Sequence, residues 1–166
     1  MDPAVAPTQF RHVMGHLATG VTVLTTEHDG ERHGMTASSV TSVSLAPVMI
    51  LACLTRGART ALAIQKAGRF AVNILGEDQE EISRRFARPG MDHFEGLAVE
   101  TGPRGLPLLP GFLVYLTCVV CDLVEAGDHD VVLGQVEHCE ASRNGANPLV
   151  FFQGGYRTLP GMGRLG

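Results

Sequence analysis

Apolar residues first recur with a helical period. Phe10, Val13, Met14 and Leu17 stand at i, i+3, i+4 and i+7. That spacing predicts a helix over 8–19 with one apolar face, Thr8 as its N-cap and Gly20 as its stop. The period then shortens. Val21-Thr22-Val23-Leu24-Thr25-Thr26 alternates, and the following Asp29-Gly30 is the turn pair of a tight hairpin. The stretch from Gly34 to Val43 reads as the returning strand. Val48-Met49-Ile50-Leu51-Ala52-Cys53-Leu54 is apolar throughout, which predicts a strand buried on both sides. A short helix over 58–66 is ended by Gly68, and 70–75 is another strand. Asp78 and Glu81 form a capping-box pattern for a helix running to about Ala87.

The segment from Arg88 to Gly111 is rich in Gly and Pro and reads as a surface excursion. Strands follow at 114–124 and 130–139, separated by the turn Glu125-Ala126-Gly127-Asp128. Asn144-Gly145 marks a further turn, and Leu149-Val150-Phe151-Phe152 a last short strand. Many closely spaced strands with few, short helices predict a mainly β fold, a small antiparallel barrel. No repeat or linker divides the chain, so 1–166 is read as one domain with its core over about 8–159.

Composition narrows the classes. The 166 residues are 45% hydrophobic and 18% charged, which suits a globular domain with a substantial core. A net charge of -4 argues against nucleic acid, whose phosphates need a basic face. No apolar run reaches the roughly 18 to 20 residues that cross a bilayer. Residues 1–7 carry no Lys or Arg and no long apolar core, so no signal peptide is read there and a cytoplasmic location is expected.

Three motifs have bland readings that outweigh the functional ones. Cys118 and Cys121 spell C-x-x-C, but they lie in one strand, where positions three apart point to opposite faces and cannot grip one metal ion. They are read as small core residues. His12 and His16 stand four apart on the first helix without the Glu of a zinc-protease helix or a third ligand. Gly161-Met162-Gly163-Arg164-Leu165-Gly166 matches the dinucleotide fingerprint literally, yet neither strand nor helix frames it.

Two polar clusters flank the apolar strand at 48–54. The first, Gly34 to Val43, is too small and hydroxyl-rich for an ordinary buried strand. The second is Thr55-Arg56-Gly57-Ala58-Arg59-Thr60. Small residues admit a ligand close to the backbone. Ser38, Ser39, Arg59 and Thr60 offer hydroxyls and a guanidinium fork suited to phosphate. If a helix begins at Ala58, its free amides add a positive end. A solvated turn beside a Ser/Thr-rich edge strand would carry the same residues, and residue chemistry alone leaves both open.

The run Ala18 to Thr26 followed by Gly34 to Pro47 resembles the flavin reductase family. More narrowly, it resembles the reductase components of two-component flavin-dependent monooxygenases, with an FMN-binding split-barrel fold. Phe70-Ala71-Val72-Asn73-Ile74-Leu75, Arg85-Phe86-Ala87 and Asp92-His93-Phe94-Glu95-Gly96 match in order. So do Ala126-Gly127-Asp128-His129, Gly134-Gln135-Val136 and Gly155-Tyr156-Arg157-Thr158-Leu159. The resemblance covers about Phe10 to Leu159.

It implies that Met35, Thr36, Ala37 and Ser38 lie along the isoalloxazine ring, bonding its polar edge mostly through backbone groups. Ser39, Arg59 and Thr60 would hold the ribityl phosphate, and Cys53 and Leu54 would line the ring from the next strand. Family members often have Asp or Asn then Arg-Ser-Ser where this chain has Thr55-Arg56-Gly57-Ala58. The missing hydroxyls shift the phosphate grip toward Arg59 and backbone amides. His129 would stand near the docked nicotinamide, and Phe152 and Tyr156 would offer aromatic surface to the second cofactor.

The implied reaction is reduction of FMN or FAD by NADH or NADPH, the reduced flavin passing to a partner oxygenase. The chemistry belongs to the cofactors, and the protein supplies orientation. A homodimer is implied as well. Two alternatives share the barrel: an oxidoreductase that keeps FMN bound, and a non-catalytic flavin- or heme-binding protein.

Overall fold

The computed structural model describes residues 5–141 and 146–160. Helix α1 spans Pro7–Met14, and its chain turn closes at Gly15 rather than Gly20. None of its residues is buried: Phe10, Val13 and Met14, with Leu17 beyond, are 57%, 58%, 44% and 62% exposed. The periodic face exists but is not spent on this chain's own core. After β1 (Thr19–Gly20), β2 (Thr22–His28) turns through Asp29 and Gly30 into β3 (Glu31–Ala37). Both turn residues have positive φ, 52° and 77°, the conformation whose twist matches a tight hairpin.

Next come β4 (Val40–Leu45), β5 (Val48–Thr55), α2 (Arg59–Ala67) and β6 (Arg69–Ile74). Gly68 caps α2 in the left-handed conformation, its amide donating to the Ile64 carbonyl. Helix α3 spans Glu80–Ala87, and the residue at its N-cap is Gln79 rather than Asp78. The Gln79 side chain is turned back, accepting from the Gly76 amide and donating to the Pro110 carbonyl. The short strands β7 (Glu100–Thr101) and β8 (Pro107–Leu108) precede two long ones, β9 (Val114–Ala126) and β10 (His129–Ala141). Strands β11 (Val150–Phe152) and β12 (Gly155–Arg157) join β1 in a small separate sheet.

The seven-stranded sheet is antiparallel throughout, in the order β3-β2-β6-β9-β10-β5-β4. Its two edges, β3 and β4, are consecutive in the chain. The stretch expected as one strand over 34–43 is therefore two, broken at Ser38-Ser39, where the chain passes from one edge to the other. A sheet whose edges are joined by two residues must curl into a barrel. The Cys53 amide donates to the Ser39 carbonyl at 3.0 Å and helps close that corner.

The barrel interior holds Leu24, Ile50, Ala52, Leu54, Phe70, Val72, Cys118 and Val132, plugged from one end by Ala61 and Ile64 of α2. Strand β5 alternates instead of burying both faces: Ile50, Ala52 and Leu54 point in, while Met49, Leu51 and Cys53 are half-exposed. An antiparallel barrel covers only one face of such a strand. Strand β2 is covered on both faces, because Val23 on its outer face and Val21 just before it pack with Phe86, Phe94, Leu109 and Leu149. The excursion after α3 runs largely over the surface, but it supplies Phe94, Leu106, Leu108 and Leu109 to buried positions and is tied into the core at those points. Asn73, fully buried in β6, donates to the Val23 carbonyl and to Thr25 Oγ1 and accepts from the Leu109 amide.

Cys118 is buried and Cys121 exposed, so they share neither a face nor a core. The Cys121 position is skipped where β9 pairs Val120 with Gly134 and Asp122 with Leu133, a bulge. Among the described residues no three His, Cys, Asp or Glu side chains gather as a metal site, and no helix is long and apolar enough to cross a membrane. The Asn144-Gly145 turn and the glycine motif at 161–166 lie outside the described residues.

Candidate active site

An open cleft of about 1270 Å³ lies between β3, the start of α2 and the loop following α3. Ligand pockets usually span about 300–1,000 Å³, so this one has room for more than a single small molecule. Met35 and Thr36 form one wall, Arg59 and Thr60 the end, and Phe86 to Glu95 the opposite wall. Because β3 is a sheet edge, its backbone groups on the side away from β2 are paired to no strand. Gly34 brings the walls together: a Cβ there would sit 2.5 Å from Phe86 Cε1 and 3.1 Å from Phe94.

Two hydroxyls at the site are already committed. Thr36 Oγ1 donates to the Ser83 carbonyl of α3 at 2.7 Å, and Thr60 Oγ1 donates to the Gly34 carbonyl at 3.0 Å. Each hydroxyl has one proton, so neither can also donate to a phosphate while it holds the fold. What remains at that end is the exposed Arg59 guanidinium and the first turn of α2. Ala58, at the N-cap, offers no side-chain cap to that turn's amides. Ser38 and Ser39 are exposed at the barrel corner. Inside the cleft, burial and then the Arg59 charge hold the His33 imidazole below its usual pKa, which keeps that ring neutral at neutral pH.

His129 opens β10, as the Cα partner of Thr55, a cleft residue. It therefore stands at the cleft's rim. Cross-strand pairs share a face, and His129 lies on the half-exposed outer face with Val131 and its partner Cys53. Asp128 Oδ1 accepts from His129 Nδ1 at 2.7 Å, which fixes the tautomer and leaves Nε2 for a ligand. The same hydrogen bond holds the exposed Asp128 carboxyl below its usual pKa.

The cleft thus brings together Met35, Thr36, Arg59 and Thr60, with His129 beside it through Thr55; Ser38, Ser39 and Cys53 are not among the residues that line it. Ala37 and Leu54 face the barrel core at 8% and 1% exposure. Cys53 and Leu54, being neighbours on a strand, cannot line the same surface. Phe152 stacks edge-on with His16, and Tyr156 packs on Phe151 and bonds Ser83 Oγ at 2.7 Å; neither reaches the cleft. Sequence reasoning missed His33 and the Phe86–Glu95 wall as cleft residues. The Arg85-Phe86-Ala87 and Asp92-His93-Phe94 motifs marked that wall without showing that it folds across β3.

A seven-stranded antiparallel barrel whose open cleft lies between a sheet edge and the start of a helix is the split-barrel architecture shared with solved flavin reductases. The flavin reductase like domain matches residues 14–160, and the chain belongs to that family. The reductase component of the 4-nitrophenol 4-monooxygenase/4-nitrocatechol 2-monooxygenase of Rhodococcus opacus is 44% identical over 88% of this chain and 77% of that protein. An NADH-dependent flavin reductase of a Rhodococcus species is 39% identical over 99% and 93%. The NADH:FAD oxidoreductase of Streptomyces globisporus C-1027, solved with NAD and FAD fragments, superposes with a TM-score of 0.88 at 34% identity, over 95% and 97% of the two chains.

Proposed function

We propose that this flavin reductase uses NADH to reduce FMN or FAD and releases the product to a partner oxygenase. One observation carries the reading: a single cleft joins an uncapped helix end and a free guanidinium to the unpaired edge of β3, with a tautomer-fixed imidazole at its rim. These donors fit a flavin phosphate and the polar edge of its ring. When both cofactors are bound, hydride passes between them, a transfer that needs reacting atoms about 3 to 3.5 Å apart.

The protein's share is placement. Arg59 and the amides of the first turn of α2 hold the phosphate, with Ser38 and Ser39 near it. The β3 backbone at Met35 and Thr36 bonds the ring edge, and the side chains there leave a flat slot. Cys53 borders the ring on the outer face of β5. His129 Nε2 meets the nicotinamide side. Phe152 and Tyr156 are left out of this assignment, since they pack away from the cleft.

The relatives named as monooxygenase reductases support an oxygenase as the receiving partner. A cytoplasmic location accords with such an exchange. The exposed apolar residues of α1, together with Val43, Leu45 and Val48, support a homodimer that covers them.

Following NADH oxidation while titrating free FMN and FAD tests the reading. Saturable turnover that depends on added flavin is the expected result. Turnover in a dialysed sample without added flavin would favour the oxidoreductase that retains FMN, and no turnover with any flavin would favour a binder.

A further inference from the structure

Arg56, in the loop between β5 and α2, does not line the cleft. Its guanidinium is bound to the hairpin that carries His129. Nε donates to Asp130 Oδ1 at 3.1 Å, a second nitrogen reaches the His129 carbonyl at 3.4 Å, and the third lies 3.4 Å from Glu125. The Arg56 amide also donates to the Asp128 carbonyl at 3.0 Å. One residue of the β5–α2 loop therefore grips Glu125, Asp128, His129 and Asp130 in turn.

Asp130 is the unusual member. Its side chain is only 5% exposed, and its other oxygen is met by Gln65 Nε2 of α2 at 3.4 Å. A carboxylate so buried is costly unless paired, and removing its partner would leave the charge stranded. The guanidinium presents its donors in a fixed planar fork, so the carboxylate and the neighbouring carbonyl are held at a set separation.

We infer that Arg56 is a positioning residue: through Asp130 and the His129 carbonyl it locks the imidazole-bearing hairpin to the loop that begins α2. The distance between the nicotinamide side and the phosphate end of the cleft is thereby fixed. The inference rests on the role proposed above for His129. Its consequence is a division of labour between two arginines three positions apart, Arg59 free for the ligand and Arg56 neutralised by two carboxylates.

The test compares Arg56→Lys with the double variant Arg56→Gln/Asp130→Asn, which leaves no buried charge unpaired. Lysine can pair with Asp130 but, with one nitrogen on a flexible stem, does not reproduce the three-nitrogen fork that spans Asp130, the His129 carbonyl and Glu125. Arg56→Lys is therefore expected to keep the wild-type melting temperature while kcat/KM for NADH falls roughly tenfold or more, FMN affinity staying within about threefold. Recovery of both stability and rate by lysine would mark Arg56 as structural only and overturn the inference. So would undiminished kcat/KM in the double variant. In a His129→Ala background the Arg56 substitutions should cost nothing further, and additive losses would count against it.

A readout independent of turnover is the His129 ring resonance in NMR spectra of the free protein. It should broaden or split in both variants, and an unchanged line would overturn the inference. If the wild type fails to oxidise NADH with any flavin, the functional reading falls. The NMR result then decides whether Arg56 sets the His129 hairpin.

Discussion

At the scale of single residues, Arg59 and Cys118 carry the clearest consequences. Thr60 and Thr36 have given their protons to backbone carbonyls, so Arg59 is the side chain left to meet a phosphate at α2. Arg59→Ala should weaken FMN about tenfold or more, the scale of a charge-assisted hydrogen bond, while riboflavin, which lacks the phosphate, is bound nearly as before. Fluorescence titration of both flavins checks this, and equal losses would place the phosphate elsewhere. Cys118 sits inside the barrel, where burial, followed by the charges of Cys121 and Glu137, pushes its thiol from near 9 up to about 12. The folded state thus favours the protonated thiol. The stability this contributes is complete below pH 9 and is lost as the pH rises through 12. Native protein at pH 8 should resist alkylation at Cys118 while the exposed Cys121 and Cys139 react, as mass spectrometry of the labelled peptides would show.

At the scale of elements, the site depends on two contacts that no periodic pattern announces. Gly34 lets the Phe86 and Phe94 rings rest against β3. Gly34→Ala would force those rings aside, and an overpacked position of this kind costs about 1–3 kcal/mol. Urea unfolding measures the loss, and weaker flavin binding should accompany it because the rings form the opposite wall of the cleft. Asn73 ties β6 to β2 and to the excursion through three buried hydrogen bonds. Asn73→Ala strands the Leu109 amide, and a buried group left unpaired costs about 1–3 kcal/mol. Hydrogen exchange should report the loss first at Leu109. The strand alternations, the Asp29-Gly30 hairpin and the Gly68 stop were legible because each is set by neighbours in sequence. The N-cap of α3 was not, since Gln79 is held by Pro110 from a distant segment.

At the scale of the whole molecule, α1 presents Phe10, Val13, Met14 and Leu17 to solvent, and the β4–β5 hairpin presents Val43, Leu45 and Val48. Sedimentation equilibrium should give twice the 17.7 kDa of one chain. A concentration-independent monomer would refute the homodimer. The ordered motifs along the chain carried the family, the barrel class and the cofactor chemistry, because they record residue types at fixed spacing. Helix and strand identity was likewise local, down to the small, hydroxylated stretch from Gly34 to Val43. What the sequence could not state is that Ser38 and Ser39 divide this stretch between opposite edges of one sheet. That depends on seven strands curling far enough for their ends to meet. The same closure decides that Leu54 faces the core while Cys53 faces outward, that Tyr156 bonds Ser83 away from the cleft, and that Arg56 reaches the His129 hairpin. Spacing along a chain fixes which chemistry is present; which side chains share one cavity follows only from long-range strand pairing.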